Sequence, residues 1–148
     1  MTVALLDVNV LMALAWPNHL HHEMAHAWFQ FQRSRGWATC TVTQMGFVRL
    51  STQPAVVKTT IAGSDAVSIL ESNVSAAEHE FWPLEHPFHE MEGEIRQRLL
   101  GHRQVTDAAL LDLTIRKGGC LATFDRGIES LLATDSEYCS ALVVLPVE

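Results

Sequence analysis

Short segments with strand character alternate with longer segments of helical periodicity along the whole 148-residue chain. This alternation is the strongest constraint on the fold. A continuous apolar run such as Val3–Leu6, ended at once by Asp7, suits a strand buried on both faces, and the helical segments between such runs serve as crossovers. Asn9–Trp16 reads as a helix stopped by Pro17-Asn18. Leu20, Met24, Ala27, Trp28 and Phe31 then recur at helical spacing up to Arg35, with Gly36 as the stop. Trp37–Val42 is β-rich, and Thr43 is placed to cap a helix from Gln44 to Ser51. Ser64 caps Asp65–Asn73, and Glu80–Leu84 is the third strand. Pro87 opens a helix through Leu100, whose charged residues Glu90, Glu92, Glu94, Arg96 and Arg98 read as a solvated face. Thr106 caps Asp107–Lys117, which Gly118-Gly119 end. Leu121–Phe124 and Ala141–Leu145 are the last strands, with a short helix over Gly127–Ala133 between them. The expected architecture is a three-layer α/β fold with a central, mostly parallel five-stranded sheet. Residues 1–148 are expected to form one domain, because a chain of this length builds one ordinary core.

Three aspartates fall at matching places in this pattern. Asp7 and Asp125 follow strands, and Asp107 opens a helix. Ligands of open α/β sheets bind outside the carboxyl ends of the strands. The helix from Asp107 feeds the fourth strand, so it must start on that same edge. Gln44, in the first turn after the second strand, joins the group by the same reasoning. Carboxylates brought together repel unless a cation lies between them, and oxygen ligands with open positions suit Mg²⁺ or Mn²⁺, a means of cleaving phosphodiesters. Asn9 and Thr123 flank the acids as candidate supporting groups. Arg49 and Arg126 are the arginines placed to contact a phosphate, with pairing to the acids as their competing use. The competing account of the acids is that Asp107 complements its helix dipole and that Asp7 and Asp125 are turn residues.

Composition narrows the partners. A net charge of −7 with only 10 Lys+Arg excludes a general polyanion-binding surface but not a nuclease whose metal supplies positive charge. Cys40, Cys120 and Cys139 lack C-x-x-C spacing and read as buried, reduced thiols. The amino terminus carries no signal-peptide pattern, and no apolar run approaches the roughly 20 residues that span a bilayer. A cytoplasmic protein with no membrane partner is expected.

The stretches Leu5-Leu6-Asp7-Val8-Asn9-Val10-Leu11, Gly36-Trp37-Ala38-Thr39-Cys40, Gly46-Phe47-Val48-Arg49-Leu50, Val105-Thr106-Asp107-Ala108 and Leu121-Ala122-Thr123-Phe124-Asp125-Arg126-Gly127 together resemble the PIN-domain ribonucleases, in particular VapC toxins of bacterial toxin–antitoxin pairs. The resemblance implies sheet order 3-2-1-4-5 and a Mg²⁺ or Mn²⁺ site. It also implies cleavage of structured RNA of the tRNA or rRNA class, a cognate basic antitoxin, a homodimer and a bacterial cytoplasmic setting. Asp7, Asp107 and Asp125 match the family's metal-binding acids. Gln44 falls where the family has a further acid, usually glutamate. Losing one ligand charge beside a divalent ion weakens attraction by roughly several kcal/mol at an effective dielectric near 20. Weakened catalysis is therefore expected, and a catalytically inactive RNA- or antitoxin-binding module is the alternative. A degenerate toxin and a deliberate Glu→Gln change would both read this way.

A separate motif, His22-Glu23-Met24-Ala25-His26, matches H-E-x-x-H of zinc hydrolases. The expected apolar face of its helix carries Leu20, Met24 and Trp28, which leaves both histidines on a wetter side. No downstream residue has the spacing of a third ligand. Surface histidines are the competing reading, and Trp28, Phe31, Trp37 and Phe47 are expected in the core.

Overall fold

The computed structural model describes residues 2–147. Strands β1 (Ala4–Leu6), β2 (Trp37–Thr39), β3 (His79–Phe81), β4 (Cys120–Thr123) and β5 (Leu142–Val144) form one sheet, every neighbouring pair parallel, in the order β3-β2-β1-β4-β5. The expected order 3-2-1-4-5 is the observed one. Helices α1 (Val8–Ala15), α2 (His22–Gln32), α3 (Thr41–Ser51), α4 (Pro54–Val57), α5 (Gly63–Val74), α6 (Gly93–Arg98) and α7 (Val105–Lys117) flank it. No helix among the described residues is long and apolar enough to cross a membrane.

The period-2 alternation of strands divides the core between the two faces. Leu5 and Leu121 pack with Leu110, Leu111, Ile95 and Ile128 on one side. Ala4, Leu6 and Ala122 pack with Val10, Met12 and Phe47 on the other. Burial of each such leucine contributes about 1.5–3 kcal/mol. Where α3 crosses α1, a Cβ on Gly46 would stand 2.6 Å from Val8 Cγ2, so the missing side chain is what permits the approach.

Several local expectations fail for identifiable reasons. Strand β2 ends at Thr39, and α3 starts at Thr41 with Cys40 in the cap position. Thr43 is no cap but the third helical residue; its hydroxyl accepts from the Cys40 N–H and donates to the Cys40 carbonyl, both at 3.0 Å. Ser64 lies inside α5, whose cap position is Ala62. Thr106 lies inside α7, because a 3₁₀ turn over His102–Gln104 runs straight into the helix. The single helix expected from Pro87 to Leu100 is instead a 3₁₀ turn, Phe88–Glu90, followed by α6. Met91 is extended between them, and the Glu92 N–H is taken by Asp112 Oδ1 at 2.8 Å. The charged face of α6 is also no mere solvated surface. Glu94 accepts from Ala133 N and Ser136 Oγ, each at 2.7 Å, and Arg98 donates to the Ser130 carbonyl at 3.0 Å. Gly127–Ala133 is a 3₁₀ helix, Arg126–Leu131, rather than an α-helix.

Helix α2 turns a different face inward than the one expected. It begins at His22, so Leu20 lies outside it, and the inward residues are Ala25, Trp28, Phe29 and Gln32. Phe31, expected in the core, is 74% exposed, whereas Trp37 and Phe47 are buried. Cys40 and Cys120 are the buried free thiols expected, but Cys139 is exposed, because it opens a 3₁₀ turn, Cys139–Ala141, ahead of β5.

Candidate functional site

Asp7 ends β1 and caps α1 at once. One carboxylate oxygen, Oδ1, accepts from the Val8 N–H at 2.7 Å. The other, Oδ2, accepts from the Thr123 hydroxyl at 2.7 Å. Thr123, the last residue of β4, is fully buried, and its hydroxyl is saturated: it donates to Asp7 and accepts from Asn9 Nδ2 at 3.2 Å and from the Asp125 N–H at 3.0 Å. Asn9 completes the lattice by accepting from the Phe124 N–H at 3.3 Å. Asn9 and Thr123, singled out in the sequence as flanking groups, thus tie the ends of β1 and β4 together around Asp7.

Asp125 caps the following 3₁₀ helix through Gly127 N, which donates to Oδ1 at 2.8 Å, and its side chain is exposed. Asp107, in the first turn of α7, is half-buried. Burial and the neighbouring charges of Asp7 and Asp125 push its carboxyl up to about 6. Burial also raises Asp7, against the lowering pull of the Thr123 and Val8 hydrogen bonds, and Asp125 adds a smaller upward push. The three acids therefore feel one another on the carboxyl edge of the sheet. No basic side chain relieves them: the ion pairs among the described residues are Arg33–Glu78, Arg116–Asp112 and Arg126–Glu129.

Arg126 is thus drawn to Glu129, at 3.2 Å, and not to the acid cluster. Arg49 is exposed on α3. Gln44, half-buried in the first turn of α3, turns its amide nitrogen to the Thr39 hydroxyl at 3.0 Å. Thr39 in turn lies 2.8 Å from His79 Nε2. Neither Thr39 nor His79 stood out in the sequence. A usable signal existed, because Thr39 ends β2 as Thr123 ends β4.

As the side chains stand, no three or more His, Cys, Asp or Glu residues among the described ones are gathered closely enough to hold a metal ion. The cause is visible in the partners: both Asp7 oxygens are engaged, Asp125 is turned to Gly127, and like charges repel. The donors nevertheless fit a hard divalent cation, since they are carboxylate oxygens whose charge no basic side chain compensates.

The H-E-x-x-H motif has another use here. His22 Nδ1 donates to the Ala13 carbonyl at 2.7 Å and His26 Nε2 to the Leu14 carbonyl at 2.8 Å. A carbonyl can only accept, so each ring carries its proton on that nitrogen. The two rings, 4.5 Å apart, satisfy carbonyls that α1 leaves open at its carboxyl end. The opposite nitrogens stay bare, but among the described residues no third His, Cys, Asp or Glu joins the pair to hold a metal ion, so nothing here supports the zinc-hydrolase reading.

Comparison with known proteins decides the family. The chain is 43% identical over 125 residues to Ribonuclease VapC39 of Mycobacterium tuberculosis (strain ATCC 25618 / H37Rv), covering 84% of this chain and 90% of that protein. It belongs to the VapC ribonuclease family. Ribonuclease VapC38 of the same strain is 43% identical over 129 residues, covering 87% of this chain and 89% of its own length. Ribonuclease VapC44 is 42% identical over 125 residues, covering 84% and 87%. No family model matches the chain. In fold it is similar to a chain of the Rickettsia felis VapBC2 crystal structure, bound to a promoter DNA fragment, with a TM-score of 0.66. The two share 12% of their sequence, over 97% of this chain and 99% of that one.

Proposed function

We propose that this VapC-family chain is a metal-dependent endoribonuclease toxin that cleaves structured RNA of the tRNA or rRNA class and is held in check by a cognate basic antitoxin. The observation that carries the reading is the set of three mutually repelling carboxylates, Asp7, Asp107 and Asp125, with no basic partner on the carboxyl edge of a parallel sheet. The names of its relatives agree with it. A Mg²⁺ or Mn²⁺ ion bound by the three acids would activate water for in-line attack on phosphorus and stabilise the departing 3′ oxygen.

The chain's own residues prepare that event. Thr123 and the α1 amino terminus fix both oxygens of Asp7, so Asp7 is the immobile member of the set. Asp107, without such restraints, is the member free to move inward. Gln44 contributes a neutral carbonyl oxygen in place of a charged one, and turnover slower than that of a glutamate-bearing site follows. Arg49 is exposed and available to an RNA phosphate, while Arg126 must first leave Glu129. A basic antitoxin and a second copy of the chain are the partners this reading implies, and Leu20, Phe31 and Leu100, at 87%, 74% and 89% exposure, are single apolar side chains open to them.

A second reading draws on Gln44 and the open arrangement of the acids: a module that binds RNA or antitoxin without cutting. Both readings meet in one experiment. Total cellular RNA is incubated with the chain, Asp7→Asn and Gln44→Glu, in Mn²⁺ or EDTA. Metal-dependent cleavage by the chain, lost in Asp7→Asn and faster in Gln44→Glu, is the expected result. Silence from all three proteins would leave the binding module.

A further inference from the structure

The hydrogen bonds around Gln44 form a chain whose polarity can be worked out from proton counting. Gln44 Nε2 donates to Thr39 Oγ1 at 3.0 Å, and Thr39 Oγ1 lies 2.8 Å from His79 Nε2. Thr39 is fully buried, so no water is available to repair a mismatch at its hydroxyl. His79 pairs in register with Trp37 across β2 and β3, and the two rings lie 4.7 Å apart, which fixes the imidazole plane. Its Nε2 is the only acceptor within reach of the Thr39 hydroxyl proton, since Gln44 already donates to that oxygen. Thr39 is satisfied when its proton goes to that nitrogen, which leaves the ring proton on Nδ1. Burial holds His79 below the ordinary histidine range, so the ring is neutral near pH 7 and one of its nitrogens is bare. The bare nitrogen accepts the one Thr39 proton. Thr39 Oγ1 can then only accept from residue 44.

An N–H donor at position 44 completes this pattern. An amide supplies it and a carboxylate does not. We propose that Thr39 and His79 are positioning residues that specify Gln44 as an amide, its Nε2 held against Thr39 and its Oε1 left free as a neutral oxygen at the edge of the acid site. The glutamine is on this account matched to its surroundings and is no relic. A glutamate would need the Thr39 proton for itself. The hydroxyl would rotate to it, and His79 would have to place a proton on Nε2 to donate to Thr39 in turn. Position 44 and His79 are in this way coupled through one hydroxyl.

The inference concerns the same site as the proposed ribonuclease function, but its test needs neither RNA nor metal. Imidazole ¹⁵N NMR spectra of the full chain, in EDTA and at a pH above the ordinary histidine range, report which ring nitrogen of His79 is protonated. The chain should show His79 protonated on Nδ1 only. Gln44→Glu should give loss of the bare-Nε2 signal, with Nε2 protonated. A negative charge acting through space favours the doubly protonated ring at lower pH but gives no reason for Nε2 protonation there. In the Gln44→Glu background, Thr39→Val should restore the bare Nε2, whereas Thr39→Ser, which keeps the hydroxyl, should not. If Gln44→Glu leaves the His79 nitrogens as they were, or if Thr39→Val makes no difference to them, the proposal fails. If Thr39→Val does not fold, the Thr39→Ser and Gln44→Glu spectra alone decide it. Failure of RNA cleavage would overturn the functional reading and leave these spectra unaffected.

Discussion

Asp107→Asn separates stability from function. The Asp107 carboxyl is raised from 3.8 to about 6 by burial and by the charges of Asp7 and Asp125. Two pKa units correspond to roughly 3 kcal/mol at 1.36 kcal/mol per unit. Asp107 is only half-buried, so solvent screening reduces this to about 1–2 kcal/mol. The sign follows from linkage. Between 3.8 and about 6 the folded state binds the proton more tightly than the unfolded state, so stability falls as pH rises through that window and stays low above it. Asparagine carries no charge at any pH and removes the penalty. Asp107→Asn should therefore melt roughly 2–8 °C higher than the parent in EDTA at about pH 7.5, and the gain should disappear at about pH 4. The assay is differential scanning calorimetry at the two pH values. Added Mn²⁺ should raise the melting point of the parent and leave the variant nearly unmoved. A variant that is no more stable at the higher pH, or equally stabilised at both, would refute the claim that uncompensated repulsion is stored at this edge.

Other substitutions probe the supports of the site. Thr123→Val removes the donor to Asp7 Oδ2 and the acceptor of two further bonds; urea unfolding should show a loss of about 2–3 kcal/mol, with Thr123→Ser close to the parent. Gly46→Ala would force a Cβ to within 2.6 Å of Val8 Cγ2 and should cost about 1–3 kcal/mol in the same assay, with Val8→Ala in addition recovering part of it. His22→Ala should cost about 1 kcal/mol by freeing the Ala13 carbonyl, yet leave Mn²⁺-dependent RNA cleavage intact; loss of cleavage with a normal unfolding curve would return the H-E-x-x-H motif to consideration.

The parts of the fold that the sequence made legible are those in which one residue carries two signals. Asp7 both ends an apolar run and caps the next helix, so β1 and α1 were placed within a residue or two. Gly118 adopts φ +69° at the end of α7, where few other residues are comfortable, and the stop it predicts is the stop observed. Thr43, Ser64 and Thr106 fail as caps for a common reason. Each stands inside the first turn rather than before it, and local pattern does not fix a helix start to the residue. Thr43 does serve the α3 amino terminus, but from the third position, reaching back to Cys40. The inward face of α2 was misassigned because Leu20 and Phe31 continue its apolar spacing on paper. The helix starts only at His22, and the rings of His22 and His26 commit the adjoining side of it to the end of α1.

The site divides along the same line. Its acids were legible because strand ends and helix starts can be read from local pattern, and a parallel sheet sends them all to one edge. The groups that hold those acids were legible only where they lay beside them in sequence, as Thr123 lies beside Asp125. Thr39 is five residues from Gln44, and His79 is forty from Thr39. Their part depends on which of three groups gives up a proton, a count that has no counterpart in spacing or hydropathy. Thr39 and Thr123 nevertheless stand at equivalent points, the last residues of β2 and β4, each buried, each lending one hydroxyl to a neighbour at the carboxyl edge. At Thr123 the hydroxyl proton is spent on a carboxylate, Asp7. At Thr39 it is spent on His79, which leaves only its lone pairs for position 44. One residue type at two equivalent places thus dictates an acid on one side of the site and an amide on the other, and the protonation of His79 decides the difference.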